Sequence, residues 1–134
     1  MSAAAGYSGK PVWQKLGLKP GQRVRVVDPP RDYGGLIGAP GHPFAAAPDA
    51  DIDLLHLFAR NRDALVAQLP AWLPCMAAGG MVWVSWPKKS SALFVDLTED
   101  GVREVCLPLG WVDVKVCAID ADWSGLKLLR RRAR

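Results

Sequence analysis

The chain of 134 residues is short of the side chains that most often carry chemistry: it has two histidines, three cysteines and two tyrosines. His42 and His56 stand apart, and no Cys-x-x-Cys or His-x-x-x-His pattern surrounds them, so no metal site is expected. Cys75, Cys106 and Cys117 are odd in number, widely spaced and set among apolar residues. That excludes a disulfide framework and predicts buried thiols in a reducing compartment. None of the three precedes a helix start or sits in a basic loop, so a Cys–His nucleophile pair is not expected either. Long apolar runs are missing too. The best, Val82–Trp86 and Val112–Ile119, are strand-sized and far below the roughly 18 residues of a membrane span. The amino end lacks a basic-then-apolar signal pattern, which places the expected compartment in the cytoplasm with no membrane contact. There is no internal repeat or low-complexity tract.

A sustained excess of one charge is also absent from the body of the chain. The formal net charge is +4, from 17 Lys and Arg against 13 Asp and Glu. Lys127, Arg130, Arg131, Arg132 and Arg134 lie in the last eight residues, and without them twelve basic residues face thirteen acidic ones. A duplex-binding surface needs cations spread over successive phosphates, so a nucleic-acid partner is not expected from this count. The basic end, residues 131–134, reads as a solubilising tail.

What is present is half hydrophobic residues, 13 glycines and 11 prolines, ordinary for one globular domain. Residues 1–10 are small and polar and read as a flexible arm, leaving 11–130 as a single domain. Pro11 opens a short helix with Val12, Trp13 and Leu16 as its stripe, and Lys19-Pro20-Gly21 forms a turn. Arg23 to Asp28 reads as a buried strand. The stretch from Pro29 to Asp51 is Pro- and Gly-rich, with a helical turn at Tyr33–Ile37 and a brief extended piece at Phe44–Ala46. Ile52–Phe58 is a second long strand. Asn61 caps a helix that continues at helical spacing through Met76, with Pro70 and Pro74 forcing a kink or restart and Gly79-Gly80 as its end. Met81–Trp86 is a strand stopped by Pro87. Thr98 caps another helix, with Glu99 and Asp100 as first-turn charges rather than an acid–base pair, and Gly110 is its left-handed stop. A hairpin closes the chain: Val112, Val114, Val116 and Ala118 alternate with Asp113, Lys115, Cys117 and Ile119, and Leu126–Arg130 returns after a turn at Asp120–Gly125.

This order predicts an α/β fold: a small open mixed sheet of five strands, mostly parallel, with an antiparallel C-terminal hairpin and helices on both faces. Of the six tryptophans, Trp13, Trp72 and Trp111 are expected in the core. Trp83 and Trp86, three apart in one strand, are expected to bury on opposite faces. Trp123 stands between Asp122 and Ser124 in a polar turn, either exposed to a ligand or partner or folded back over the hairpin. His56, on the face opposite Leu55, is expected as a packed, polar-tipped residue and His42 as exposed.

The closing pattern, two parallel strands followed by an antiparallel hairpin, resembles the second half of the Rossmann-like S-adenosylmethionine-dependent methyltransferases. In that family the first strand ends in an acidic residue followed by a glycine-rich loop. Here Val26-Val27-Asp28-Pro29-Pro30-Arg31-Asp32 stands in that place, so Asp28 matches the acidic position while the glycines are absent and two prolines lack N–H groups. Gly34, Gly35 and Gly38 come later. The resemblance also implies two further strands, the second carrying an acidic residue for ribose, but only 23 residues run from Pro29 to Asp51, less than one βα unit of roughly 30. The fold expected is therefore methyltransferase-like but truncated in its middle. A second set of motifs covers nearly the whole chain: Tyr7-Ser8-Gly9, Leu18-Lys19-Pro20-Gly21, Trp83-Val84-Ser85-Trp86-Pro87-Lys88-Lys89, Asp96-Leu97-Thr98-Glu99, Val112-Asp113-Val114-Lys115-Val116-Cys117-Ala118 and Trp123-Ser124-Gly125-Leu126. Together these resemble the bacterial family called domain of unknown function 3052, which implies a small stand-alone protein and carries over no site residues.

Ligands of open α/β sheets bind beyond the carboxyl ends of the parallel strands. That rule gathers Asp28, Arg60, Lys88, Lys89 and Ser90, with Trp123 from the closing turn, as the candidate ligand-binding set. Cations and hydroxyls beside the helix that Asn61 caps suit an anion. The expectation is a non-catalytic protein that binds an anionic small molecule or a protein partner at this rim, without a cofactor. The alternative is an enzyme acting on a phosphorylated or nucleotide-like substrate in the same crevice. A third expectation is self-association through the edge strand of the hairpin.

Overall fold

The structure, a computed structural model, describes residues 10–30, 32–38, 45–46 and 49–132. The arm expected over residues 1–10 lies outside them except for Lys10, as do His42 and the end of the tail. The elements run α1 (Val12–Leu16), β1 (Arg23–Val27), α2 (Tyr33–Ile37), β2 (Ala45–Ala46), β3 (Ile52–Phe58), α3 (Arg62–Trp72), β4 (Met76–Pro87), α4 (Glu99–Cys106), β5 (Trp111–Ala118) and β6 (Trp123–Arg130). Short 3₁₀ turns at Leu73–Cys75 and Leu107–Leu109 end α3 and α4.

One mixed sheet carries all the strands in the order β2-β1-β3-β4-β6-β5. The pairings β1·β2, β1·β3 and β3·β4 are parallel, and β4·β6 and β5·β6 are antiparallel. The central strands alternate between two apolar layers, which is why they read as nearly continuous hydrophobic runs. Leu55, Leu57, Val82, Val84 and Trp86 pack with Leu65 and Leu69 of α3 and Val102 and Cys106 of α4. Leu54, Phe58 and Trp83 face the other way, against Leu16 of α1, Ile37 of α2, Ile119 and Trp123. Trp83 and Trp86 are thus buried on opposite faces, as their spacing predicts. The Trp83 indole donates to the carbonyl of Leu16 at 2.9 Å and so ties α1 to the sheet.

Asn61 caps α3 by accepting from the Ala64 N–H at 2.8 Å, and Thr98 caps α4 by accepting from Gly101 at 3.1 Å. The carboxyl side of α3 corrects the expectation. The helix passes through Pro70 and tightens into the Leu73–Cys75 turn, but Met76 is the first residue of β4 rather than the last of the helix. Two prolines within five residues remove the donors that would carry the helix further. Gly79-Gly80 consequently lies inside β4, where the β3·β4 register shifts between Ile52 and Leu54. Gly79 has φ 77°, and a Cβ on Gly80 would come within 2.8 Å of the Ile52 carbonyl oxygen, so the glycines serve strand crossing and not helix termination.

The closing hairpin is also corrected. Its second strand starts at Trp123 rather than Leu126, and the register of β5 on β6 shifts between Asp113 and Lys115. The strict alternation from Val112 to Ile119 breaks at that bulge. Asp113 therefore lies on the α4 side, where the Arg103 guanidinium donates to it at 2.8 Å.

Candidate active site

The chain leaves β1 toward β2 on one side and returns to β3 on the other, so the sheet reverses direction between β1 and β3. Crevices that hold ligands form outside the carboxyl ends of strands at such a point. On the β1 side the rim begins with Asp28, exposed and in the left-handed region at φ 52°. Its carboxylate forms no ion pair among the described residues. Pro29 and Pro30 follow. Asp32, also left-handed at φ 56°, accepts from the Gly35 N–H at 3.1 Å and so starts α2. On the β3 side the rim is Ala59, Arg60 and Asn61, with the Ala59 N–H donating to the Ser85 carbonyl at 2.9 Å.

Beneath this rim lies an aromatic and hydrogen-bonded floor that the sequence alone does not assemble. The Tyr33 hydroxyl is 2.8 Å from His56 Nδ1, and His56 Nε2 is 2.8 Å from the Ser85 hydroxyl. One side chain each from α2, β3 and β4 thus forms a continuous polar chain. His56 stacks on Phe58 with ring centroids 4.3 Å apart, and the Phe58 ring meets Trp123 edge-on at 5.2 Å. His56 and Ser85 are fully enclosed. Burial drives the His56 pKa down to about 3 and pushes the Tyr33 hydroxyl up, so both stay neutral. The signal was present as two polar interruptions, His56 and Ser85, in otherwise apolar strands. Only the parallel β3·β4 pairing shows that they meet.

The residues singled out from the sequence do not form one site. Arg60 is exposed at the crevice with its guanidinium 5.6 Å above the Trp123 ring. Trp123 opens β6 instead of lying in a turn and is 2% exposed, so of the two readings offered for it the folded-back one holds. Lys88 and Lys89 line a separate open cavity of about 460 Å³ with Trp86, Thr98, Glu99, Asp100 and Ser124. Trp86 belongs to the α3/α4 layer and Phe58 to the α1/α2 layer, so cavity and crevice lie on opposite faces of the sheet. Ser90 is outside the lining of that cavity, and the neighbouring Ser91 hydroxyl binds Asp122 at 2.8 Å. Among the described residues no group of three or more His, Cys, Asp or Glu side chains is arranged to hold a metal.

No family model matches the chain, and no curated protein does. Solved structures match its fold. A TehB-like S-adenosylmethionine-dependent methyltransferase from Corynebacterium glutamicum aligns at a TM-score of 0.57 with 10% identity, over 88% of this chain and 85% of that one. A ribosomal protein L11 methylase from Lactobacillus delbrueckii subsp. bulgaricus aligns at 0.54 with 12% identity, over 89% of this chain and 74% of that one. DhpI, solved as a complex with S-adenosylhomocysteine, aligns at 0.51 with 16% identity, over 97% of this chain and 75% of that one. The fold is Rossmann-like and methyltransferase-like.

These likenesses overturn the expectation of a non-catalytic binder at the rim: the architecture is shared with methyl-transferring enzymes. They lend nothing to the alternative, an enzyme for phosphorylated or nucleotide-like substrates. β2 survives as a two-residue stub level with Arg23 and Val24, so the sheet keeps its reversal between β1 and β3 in far fewer residues than two full βα units.

The chain's residues fit S-adenosylmethionine in its charged half. Asp28 offers a free carboxylate to an ammonium where β1 ends, and the first turn of α2 presents Gly34 and Gly35. Among the described residues β2 supplies no ribose clamp: Ala45 and Ala46 pair with Arg23 and Val24, and the Asp49 carboxylate is paired with Arg25 at 3.0 Å.

Proposed function

We propose that this chain is a small methyltransferase-like enzyme that binds S-adenosylmethionine in the crevice between β1 and β3. The observation that carries the reading is Asp28, an exposed and unpaired carboxylate at the sheet's point of reversal, in a fold shared with methyltransferases. Asp28 would hold the donor's ammonium. The donor supplies a methyl group on a sulfonium, an electrophile that needs no metal. The chain's own contribution is position: Tyr33, His56 and Ser85 fix α2 against the sheet, and Phe58 and Trp123 give the crevice a water-excluding floor. The finer family assignment, domain of unknown function 3052, rests on the ordered motifs from Tyr7-Ser8-Gly9 to Trp123-Ser124-Gly125-Leu126. The cytoplasm remains the compartment of this reading, supported by the odd number and wide spacing of the three cysteines, of which Cys106 alone is buried.

The test is titration calorimetry with S-adenosylmethionine and S-adenosylhomocysteine. Both are expected to bind, and Asp28→Asn is expected to weaken each by roughly tenfold or more, since a hydrogen bond to a charged group contributes about 1.5–3 kcal/mol. Asparagine tolerates the left-handed backbone, so the variant removes charge without refolding the turn. Absence of binding, or an Asp28→Asn variant that binds equally well, would sink the reading.

A further inference from the structure

Trp86 ends β4 with a donor that the protein leaves unsatisfied. The residue is 4% exposed, yet its indole N–H donates to no group among the described residues. The nitrogen is not sealed in the core either, so the small exposed part of the ring presents the N–H to the open cavity of about 460 Å³ that Trp86 lines. A nearly buried donor without an acceptor is costly, and such groups mark places where a ligand atom fits. Ser124 stands directly across from Trp86 in the β4·β6 pair, and its hydroxyl also makes no hydrogen bond among the described residues. Past the end of the strand the Lys88 N–H donates to the Asp122 carbonyl at 2.8 Å, which holds the end of β4 beside the start of β6. Lys88 and Lys89 continue this wall of the cavity, and neither forms an ion pair among the described residues.

The other wall is the first turn of α4, with Thr98, Glu99 and Asp100. Glu99 and Asp100 are both paired with Arg103 of their own helix, and no ion pair joins either to Lys88 or Lys89. Cations and donors thus stand on one side of a single cavity and carboxylates on the other, unpaired across it. A simple anion is repelled by the α4 wall and a simple cation by the lysine wall. A molecule that carries both charges a few bonds apart meets each wall with its opposite. We propose that this cavity binds the zwitterion of a free amino acid. The α-carboxylate accepts from the Trp86 N–H, the Ser124 hydroxyl and the two ammonium groups, as charge-assisted hydrogen bonds. The α-ammonium faces Asp100, whose side chain is 86% exposed against 43% for Glu99. The volume lies within the roughly 300–1,000 Å³ of small-molecule sites. The cavity is on the face of the sheet away from the crevice and does not rest on the methyl-transfer reading.

Proton–nitrogen correlation spectra of the full chain separate the signals of its six tryptophan indoles, and Trp86→Phe identifies the one from Trp86. At constant ionic strength L-serine is expected to move the Trp86 indole proton downfield to saturation, with the signals of Trp13 and Trp72 unmoved. N-acetyl-L-serine lacks the ammonium and L-serine amide lacks the carboxylate, and each is expected to bind roughly tenfold more weakly or worse. Lys88→Gln with Lys89→Gln should weaken L-serine by roughly tenfold and leave L-serine amide unchanged. Asp100→Asn should weaken L-serine and leave N-acetyl-L-serine no weaker. The other five indole signals, unchanged in these variants, show that lost binding is not lost folding. No movement of the Trp86 signal with L-serine, a single-charge analogue that binds as tightly, or variants that change nothing would overturn the proposal. A tighter response to S-adenosylmethionine than to L-serine would do so too, by giving the cavity to the methyl donor.

Discussion

His56 sits at the centre of the molecule with both ring nitrogens engaged, one by Tyr33 and one by Ser85, and its protonation is coupled to folding. Its pKa of about 3 in the folded chain lies below the ordinary 6.5 of an unfolded histidine. Above pH 6.5 both states are neutral and the group leaves stability unchanged. As pH falls from 6.5 toward 3, the unfolded chain takes up a proton that the folded chain refuses, and stability drops by up to about 1.4 kcal/mol per pH unit. Urea unfolding at pH 7 and pH 5 should therefore differ by roughly 2 kcal/mol in the wild type, and His56→Gln should remove most of that difference. A wild-type midpoint independent of pH over this range would refute the enclosure of His56. Tyr33→Phe should cost about 1–3 kcal/mol, the penalty of leaving a buried ring nitrogen without its partner. That chain of three polar groups was only half legible in the sequence. His56 read correctly as a packed, polar-tipped residue, but its partners are 23 and 29 residues away and nothing local identifies them.

The elements show the same division on a larger scale. α2 and β3 have the boundaries expected of them, because each signal is local: a helical turn at Tyr33–Ile37, which the structure shows to be capped by Asp32, and an apolar run from Ile52 ended by Ala59-Arg60-Asn61. Asn61→Ala should destabilise the chain by about 1 kcal/mol in a urea melt, through loss of the cap on Ala64, while an Asn61→Ser variant should retain most of it. Met76–Gly80 misled because the apolar spacing of α3 continues past the residue at which Pro70 and Pro74 have already exhausted the helix. Whether such residues become helix or strand depends on the Ile52 backbone waiting beside Gly80, which is tertiary information. The bulge between Asp113 and Lys115 is of the same kind. The alternating valines predict a flat edge strand, whereas the bulge and the exposed Lys115 blunt it in the way that edge strands are protected from pairing with a second chain. Sedimentation equilibrium should accordingly give the mass of a single chain, and a dimer that Val116→Lys dissociates would show the opposite.

At the scale of the whole molecule, the counts of the sequence and the surface of the fold tell different stories. A near-neutral body hides local clustering: Arg62 and Arg103 form ion pairs with Glu104, Asp100 and Asp113 on the α3/α4 side, while Lys115 stands across from Lys127 on the other side of the hairpin. Only the pairing of β5 with β6 and of β6 with β4 separates the two. Length and topology divide here: the short stretch between β1 and β3 holds no two full βα units, as its length predicts, and the two-residue β2 is enough to keep the reversal of the sheet. Among the described residues no helix is long and apolar enough to cross a membrane, in keeping with the strand-sized runs of the sequence. By itself the sequence determined the α/β class, the caps at Asn61 and Thr98, the two-sided burial of Trp83 and Trp86 and the acidic end of β1, since each follows from periodicity or chemistry within a few residues. The tertiary structure alone decided the strand order, the Tyr33–His56–Ser85 chain, the split of the rim into two sites and the pairing of Lys115 with Lys127. These depend on which strands become neighbours, and that choice is made by the packing of both apolar layers at once rather than by any local run of residues.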